Sequence, residues 1–213
     1  MRCTYNIPPM STGTLLIVSA PSGAGKTSLV KALCEQLDNI KPSISHTTRA
    51  RRNGEKDGVD YHFIDEAEFK DKREADAFLE SARVFDHYYG TSRDGVDQML
   101  NSGSDVVLEI DWQGARQINK KLDTAVSIFI MPPSLAALEE RLRKRGQDDE
   151  AIITRRMKAA TLEMVHYDEF DYLVFNDDFE VALNELSAIV LAQRCKTGKQ
   201  QANNRPLIKS LLA

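Results

Sequence analysis

Residues Ala20-Pro21-Ser22-Gly23-Ala24-Gly25-Lys26-Thr27 follow an apolar run, Thr14-Leu15-Leu16-Ile17-Val18, and precede a helical pattern, Leu29-Val30-Lys31-Ala32-Leu33. Strand, glycine-rich turn, Lys-Thr, helix is the layout of a phosphate-binding loop. It constrains the fold strongly, because the turn needs a buried strand behind it and a helix N-terminus aimed at the anion. Lys26 is placed to reach the β- and γ-phosphates of a nucleoside triphosphate, and Thr27 to set its hydroxyl on Mg²⁺. The stretch from Ala20 to Thr27, with Ser28, is expected to form one nucleotide site. The usual pattern opens with Gly, and here that position is Ala20. A methyl group is tolerable there if φ stays negative, while Gly23 and Gly25 allow close backbone approach.

Near-continuous apolar runs over 15–19, 106–110, 126–131 and 172–175 read as strands covered on both faces, as in a parallel sheet. Helical patterns over 25–37, 113–121, 134–145, 149–165 and 179–193 alternate with them, and Ser134 is a plain N-cap. This alternation specifies an α/β fold of the phosphate-loop type, three layers with a central parallel sheet. Residues 41–103 break the rhythm. Short alternating stretches such as Ser43-Ile44-Ser45-His46-Thr47 and Tyr61-His62-Phe63-Ile64, with turn signals at Asn53-Gly54 and Asp57-Gly58, read as an inserted, mostly antiparallel lobe. The expected division is a loose leader over 1–12, a core over 13–40 and 104–195, the lobe between, and a polar, mobile tail over 196–213 in which 207–212 has the pattern of a short helix.

A net charge of −4 argues against wholesale nucleic-acid binding, and no apolar run approaches the ~20 residues of a membrane span. Cys3, Cys34 and Cys195 have no metal-ligand spacing and read as reduced thiols of a cytoplasmic protein. His46, His62, His87 and His166 are too dispersed for a metal site.

Two basic clusters stand out in this acidic chain. Arg49, Arg51 and Arg52 lie in the inserted lobe beside Ser45, Thr47 and Thr48. Arginine grips phosphate bidentately and does not titrate, so a second phosphate site is expected, which fits a kinase better than a simple hydrolase. Residues 141–158 carry seven basic side chains against three acidic ones, gathered where two helices meet at Gly146. Glu109 and Asp111 end a core strand beside the loop. A carboxylate there can orient Mg²⁺ through water or extend a polar network around an acceptor.

The segments Ser45-His46-Thr47-Thr48-Arg49-Ala50-Arg51-Arg52, Gly54-Glu55, Asp57-Gly58-Val59-Asp60-Tyr61 and His87-Tyr88-Tyr89-Gly90-Thr91 resemble guanylate kinase motifs. So do Glu109-Ile110-Asp111-Trp112-Gln113-Gly114 and Val174-Phe175-Asn176-Asp177-Asp178. They occur in the family order over residues 13–193, in wording similar to the bacterial branch. The resemblance implies ATP + GMP ⇌ ADP + GDP, with Mg²⁺ as cofactor, GMP and ATP as partners, and homo-oligomerisation left open. It implies that Arg49, Arg52, Tyr61 and Tyr89 hold the GMP phosphate and that Ser45, Glu80 and Thr91, beside Gly90, read the guanine. Asp111, with Glu109, is expected near the guanine or its water network. The resemblance makes 141–158 a helical lid whose Arg141, Arg145 and Arg156 reach the ATP phosphates, and sets Asn176 and Asp177 near adenine. Lys26, Arg49 and the three lid arginines are then the catalytic cations. Two alternatives are a kinase for another phosphate-bearing acceptor and a non-catalytic scaffold that binds phosphopeptides. Substrate profiling separates the first, and ATP binding the second.

Overall fold

Strand β1 (Leu15–Ser19) is buried at every residue and occupies the middle of the main sheet. Its side chains alternate between two cores, as a pleated strand requires. Leu16 and Val18 meet Leu29, Leu33, Leu186 and Val190 on one face. Leu15 and Ile17 meet Val96, Ala115 and Ile118 on the other. β1 pairs in parallel with β7 (Asp105–Glu109) and β8 (Val126–Met131), β8 with β9 (Tyr172–Phe175), and β7 with β2 (Ile40–Pro42). The computed structural model describes residues 12–84, 86–144 and 150–213. The layer architecture is the α/β one expected, with α1 (Lys26–Gln36) and α7 (Phe179–Arg194) covering one face and α4 (Trp112–Asn119) the other.

Two strands depart from the sequence expectation. β2 is a core strand inside the stretch assigned to the lobe boundary. Only Ile40 of its three residues is buried, so it carries no periodic signal, and Pro42 is tolerated because β2 lies at the sheet edge. β9 is apolar yet not covered on both faces. It forms the opposite edge, Val174 alone is buried, and Phe175 is 54% exposed.

The lobe is built on a second sheet in the order β4-β3-β6-β5. β5 (Phe78–Val84) and β6 (His87–Ser92) form an antiparallel hairpin that turns at left-handed Asp86, and β3 (His46–Thr47) pairs antiparallel with β6. The pairing of β3 with β4 (His62–Phe63) is parallel, so the sheet is mixed. Two helices not foreseen from the sequence complete the lobe, α2 (Glu66–Glu74) and α3 (Arg93–Asn101). α2 starts on an Asp65 cap and buries Phe69 between the rings of Phe78 and Tyr88, 4.8 and 5.3 Å away. Among the described residues no helix is long and apolar enough to cross a membrane.

The expected short helix over 207–212 is present as α9 (Arg205–Leu211), and the polar stretch before it also folds, as α8 (Thr197–Asn203), from which Lys199 reaches back to the Thr14 hydroxyl. Beneath it, buried Asp105 accepts the Thr14 N–H at 2.6 Å and the Arg194 Nε–H at 2.7 Å, while Arg194 also donates to the Asp38 carbonyl. This pair joins the starts of β1 and β7 to the end of α7. Arg194→Met strands a buried carboxylate, so urea unfolding is expected to show a loss of about 3–5 kcal/mol. A loss under about 1 kcal/mol would mean that water reaches Asp105.

Candidate active site

From the end of β1 the chain turns over 20–25 into α1. Gly23 and Gly25 adopt φ of 95° and 94°, whereas Ala20 is not among the left-handed residues, the condition its methyl group required. Gly25 is the N-cap of α1 and brings no side-chain acceptor, and the first turn holds no acid, so neither competes with a bound anion for the N-terminal N–H groups. The loop is clamped from both sides. From below, the Asn176 amide, which follows β9, donates to the Ala24 carbonyl at 2.7 Å. A Cβ on Gly25 would fall 2.4 Å from the same amide nitrogen. From above, a Cβ on Gly23 would stand 3.0 Å from Leu142 and 3.1 Å from Leu138, on α5 (Leu135–Lys144).

The cations expected over the phosphates approach from α5 and α6 (Glu150–Met164). Arg141 donates one nitrogen to the Asn176 carbonyl at 3.0 Å, and its other terminal nitrogen is buried with no partner among the described residues. An unsatisfied guanidinium N–H is costly, and an anion on the loop would relieve it. Arg156 donates to the Ser22 hydroxyl at 2.6 Å. Arg145 lies outside the described residues. Ser28 is exposed, and Asp177 is exposed beside buried Asn176. The Asn176 amide thus lies under the loop, engaged with its backbone, rather than open to a base.

A cavity of about 310 Å³ joins the loop to the lobe, and Lys26, Thr27, Ser45, Tyr61, Glu80 and Tyr89 are among its walls. At its lobe end Glu80, on β5, is only 4% exposed and accepts the hydroxyl of buried Thr91, on β6, at 2.6 Å. Burial pushes the Glu80 carboxyl up to about 7, and the Asp111 charge adds to the rise against the opposing Thr91 hydrogen bond. Gly90 takes its place through packing, since a Cβ there would stand 3.1 Å from the rings of Phe69 and Phe78. Tyr61 and Tyr89 meet edge to face at 6.0 Å, and burial raises the Tyr61 hydroxyl above its ordinary range.

The arginine turn has an organiser that the sequence reading did not single out. Glu55 grips Arg49 through both oxygens, at 2.7 and 3.1 Å, and also accepts the Arg52 backbone N–H at 2.7 Å. Arg49 holds the Glu55 carboxyl below its usual range. The pairing sets the Arg49 guanidinium over the Tyr61 ring at 5.3 Å, at the cavity wall, while Arg52 is exposed. Glu55 stood in the Gly54-Glu55 motif, but its acid-to-base partnership depends on the turn's geometry.

Between the two ends, Thr27 donates its hydroxyl to Glu109 at 2.8 Å. Asp111 caps α4, accepting the Gly114 N–H at 2.9 Å. The two carboxylates at the end of β7 are therefore divided, one to the phosphate loop and one to a helix start beside Glu80. Glu163 of α6 also lines the cavity, a residue that the sequence reading left inside a helical run. Burial raises its carboxyl above the ordinary range, a rise that the Lys26 charge opposes without cancelling.

A family model, guanylate kinase, matches residues 12–193. The chain belongs to the guanylate kinase family. It is 57% identical over 207 residues to the guanylate kinase of Chromohalobacter salexigens, covering 97% of this chain and 96% of that relative. Identity to the guanylate kinase of Alcanivorax borkumensis is 59% over 201 residues, covering 94% and 97%. The crystal structure of guanylate kinase from Anaplasma phagocytophilum superposes with a TM-score of 0.74 at 35% identity, covering 89% of this chain and 90% of that one. The guanylate kinase fold thus accounts for both sheets, the parallel one that bears the loop and the mixed one that bears Glu80.

Proposed function

We propose that the two ends of the cavity hold the two nucleotides of the reaction ATP + GMP ⇌ ADP + GDP, which this member of the family catalyses. The observation that carries the division is a buried carboxylate, Glu80, in the same cavity as the phosphate loop. Ionised, it accepts both N1–H and N2–H of guanine, a donor pair that adenine lacks. Thr91 orients it, and Ser45 serves the rest of the base edge. Arg49, Arg52, Tyr61 and Tyr89 take the GMP phosphate, with Glu55 holding Arg49 toward it. Asp111 keeps the floor beside the base in place as the cap of α4.

The loop from Ala20 to Ser28 and Lys26 take the triphosphate, and adenine packs over the segment of Asn176 and Asp177. The oxygen chemistry suits Mg²⁺, since the Thr27 hydroxyl, already in contact with Glu109, is a hard oxygen that would hold such an ion. When bound, the ion neutralises charge between the phosphates. GMP attacks through a phosphate oxyanion, so no general base is needed, and the obstacle is repulsion between two anions. Lys26, Arg49, Arg141, Arg145 and Arg156 offset that repulsion and stabilise the transferred group. Closure of the helices over the loop excludes water. A cytoplasmic location belongs to the same reading. The Arg141 nitrogen that has no partner among the described residues, beside an intact loop, favours catalysis over a phosphopeptide scaffold.

A coupled assay with ATP, Mg²⁺ and each nucleoside monophosphate tests the reading. GMP is expected to be preferred over AMP by about 10⁴-fold in kcat/KM, the discrimination typical of a site built around paired hydrogen bonds. Comparable use of AMP would remove the guanine assignment.

A further inference from the structure

Glu80 sits on an edge strand, and a helix of the core holds that edge. β5 is the last strand of the lobe sheet, so among the described residues its outward backbone groups have no strand to pair with. Helix α4 supplies the missing partner. The Gln117 side chain behaves like a peptide group, accepting the Ser81 N–H at 3.2 Å and donating to the Ser81 carbonyl at 2.9 Å. Just beyond the end of α4, Lys121 donates to the Leu79 carbonyl at 2.9 Å. The backbone on both sides of Glu80 is thus fastened to an element whose Ala115 and Ile118 are buried in the main core.

One turn before Gln117 lies Gly114. A Cβ there would stand 2.7 Å from Glu80 Oε2 and 3.2 Å from its Cδ. Gly114 is helical, not left-handed, so its backbone gives no reason to avoid alanine, which helix propensity favours by about 1 kcal/mol. The carboxylate is the nearest group to the bare position, with Ile110 Cδ1 beside it at 3.2 Å.

We propose that Gln117 and Gly114 are positioning residues for guanine recognition, Gln117 fixing the strand that carries Glu80 and Gly114 leaving the space that its carboxylate occupies. Both act through Glu80, so the proposal rests on the reading of Glu80 as the guanine-binding group. Losing the Gln117 amide frees the Ser81 backbone and lets the strand shift. A methyl group at residue 114 displaces the carboxylate itself. Either change misaligns the acceptor pair for N1–H and N2–H while leaving the phosphate loop as it is.

Steady-state kinetics of Gln117→Met, Gly114→Ala, Glu80→Ala and Glu80→Ala/Gly114→Ala decides it. Methionine keeps the volume of Gln117 and removes only its hydrogen bonds. Gln117→Met is expected to raise KM for GMP about tenfold, with kcat and KM for ATP changed less than twofold. Gly114→Ala is expected to raise KM for GMP by tenfold or more in the otherwise unaltered enzyme. In the Glu80→Ala background it is expected to have no further effect, the non-additivity of two residues that act as one. Unchanged KM for GMP in both single variants, with GMP use lost in Glu80→Ala, overturns the positioning role and leaves the Glu80 reading intact. An equal rise on both backgrounds, or parallel losses in GMP and ATP parameters, also overturns it by showing a general structural effect. Full GMP preference in Glu80→Ala removes the Glu80 reading and the positioning role together.

Discussion

Glu80→Gln is expected to lower kcat/KM for GMP by about 10³-fold and, above neutral pH, to make the protein more stable. The loss of activity follows from geometry. A carboxylate accepts two donors from guanine, whereas glutamine turns one acceptor into a donor facing a donor. Two charge-assisted hydrogen bonds at about 1.5–3 kcal/mol each set the size of the effect. The gain in stability follows from burial. Glu80 titrates at about 7 in the folded protein against an ordinary value of 4.5. The folded state therefore bears no ionisation cost below pH 4.5, accumulates it as pH rises toward 7, and carries it in full above. A shift of that size corresponds to about 3 kcal/mol, which glutamine, unable to ionise, recovers at pH 8 and not at pH 4.

Thermal unfolding of both proteins at pH 5 and pH 8 should show the variant's advantage growing with pH. An advantage equal at both pH values would mean that Glu80 carries no buried charge. The same titration predicts an acid limb in the kcat/KM profile for GMP. Below about pH 7 the protonated carboxyl cannot accept both donors, and activity falls roughly tenfold per unit. Asp111 raises this limb, whereas Thr91 and Lys121 lower it. The limb should be missing from the Glu80→Gln profile. A carboxylate kept where it is costly is the pattern of a site that trades stability for recognition.

Lys26→Met is expected to reduce kcat by about 10³-fold or more, with little change in KM for GMP. Lys26 opens α1 at the cavity, with Glu163 in its field. Methionine keeps most of the aliphatic stem and removes the charge proposed to offset repulsion between the two phosphates. That charge matters most where charge develops on the transferred group, so the deficit falls on the chemical step. Rapid-quench measurement of a single turnover isolates that step. Stability should change by less than about 1 kcal/mol, because no core contact is lost. A fall in the single-turnover rate of less than tenfold would mean that the loop N–H groups and the arginines carry the stabilisation without Lys26.

Several parts of this fold were legible because their physics is local. β1 is a run of buried apolar residues next to a turn whose glycines and Lys-Thr pair allow few other conformations, and β8 falls where its apolar run ends at Pro132-Pro133. Ser134 was readable as a cap because its hydroxyl accepts the Ala137 N–H within one turn. Other parts have no local signal. β2 exists because the edge of β7 accepts three residues. β9 has the composition of a central strand and lies at an edge, since composition records apolarity and not neighbours. Glu55, Asn176 and Gln117 are polar residues in polar or mixed surroundings, and only their partners reveal what they hold.

The amino-acid sequence by itself determined that a phosphate loop lies on a parallel sheet, that an arginine-rich lobe interrupts it, and that the motifs follow the guanylate kinase order. Each depends on spacing along the chain, and neighbouring residues stay neighbours in any fold. Only the tertiary structure decided that Glu80 is buried against Thr91 and Gly114, that Glu55 grips Arg49, that Asn176 supports the loop from 152 residues away, and that the tail folds back beside the buried Asp105–Arg194 pair. Burial and long-range pairing belong to the packed chain, because a carboxylate feels the loss of water or the approach of a cation only when distant segments close around it.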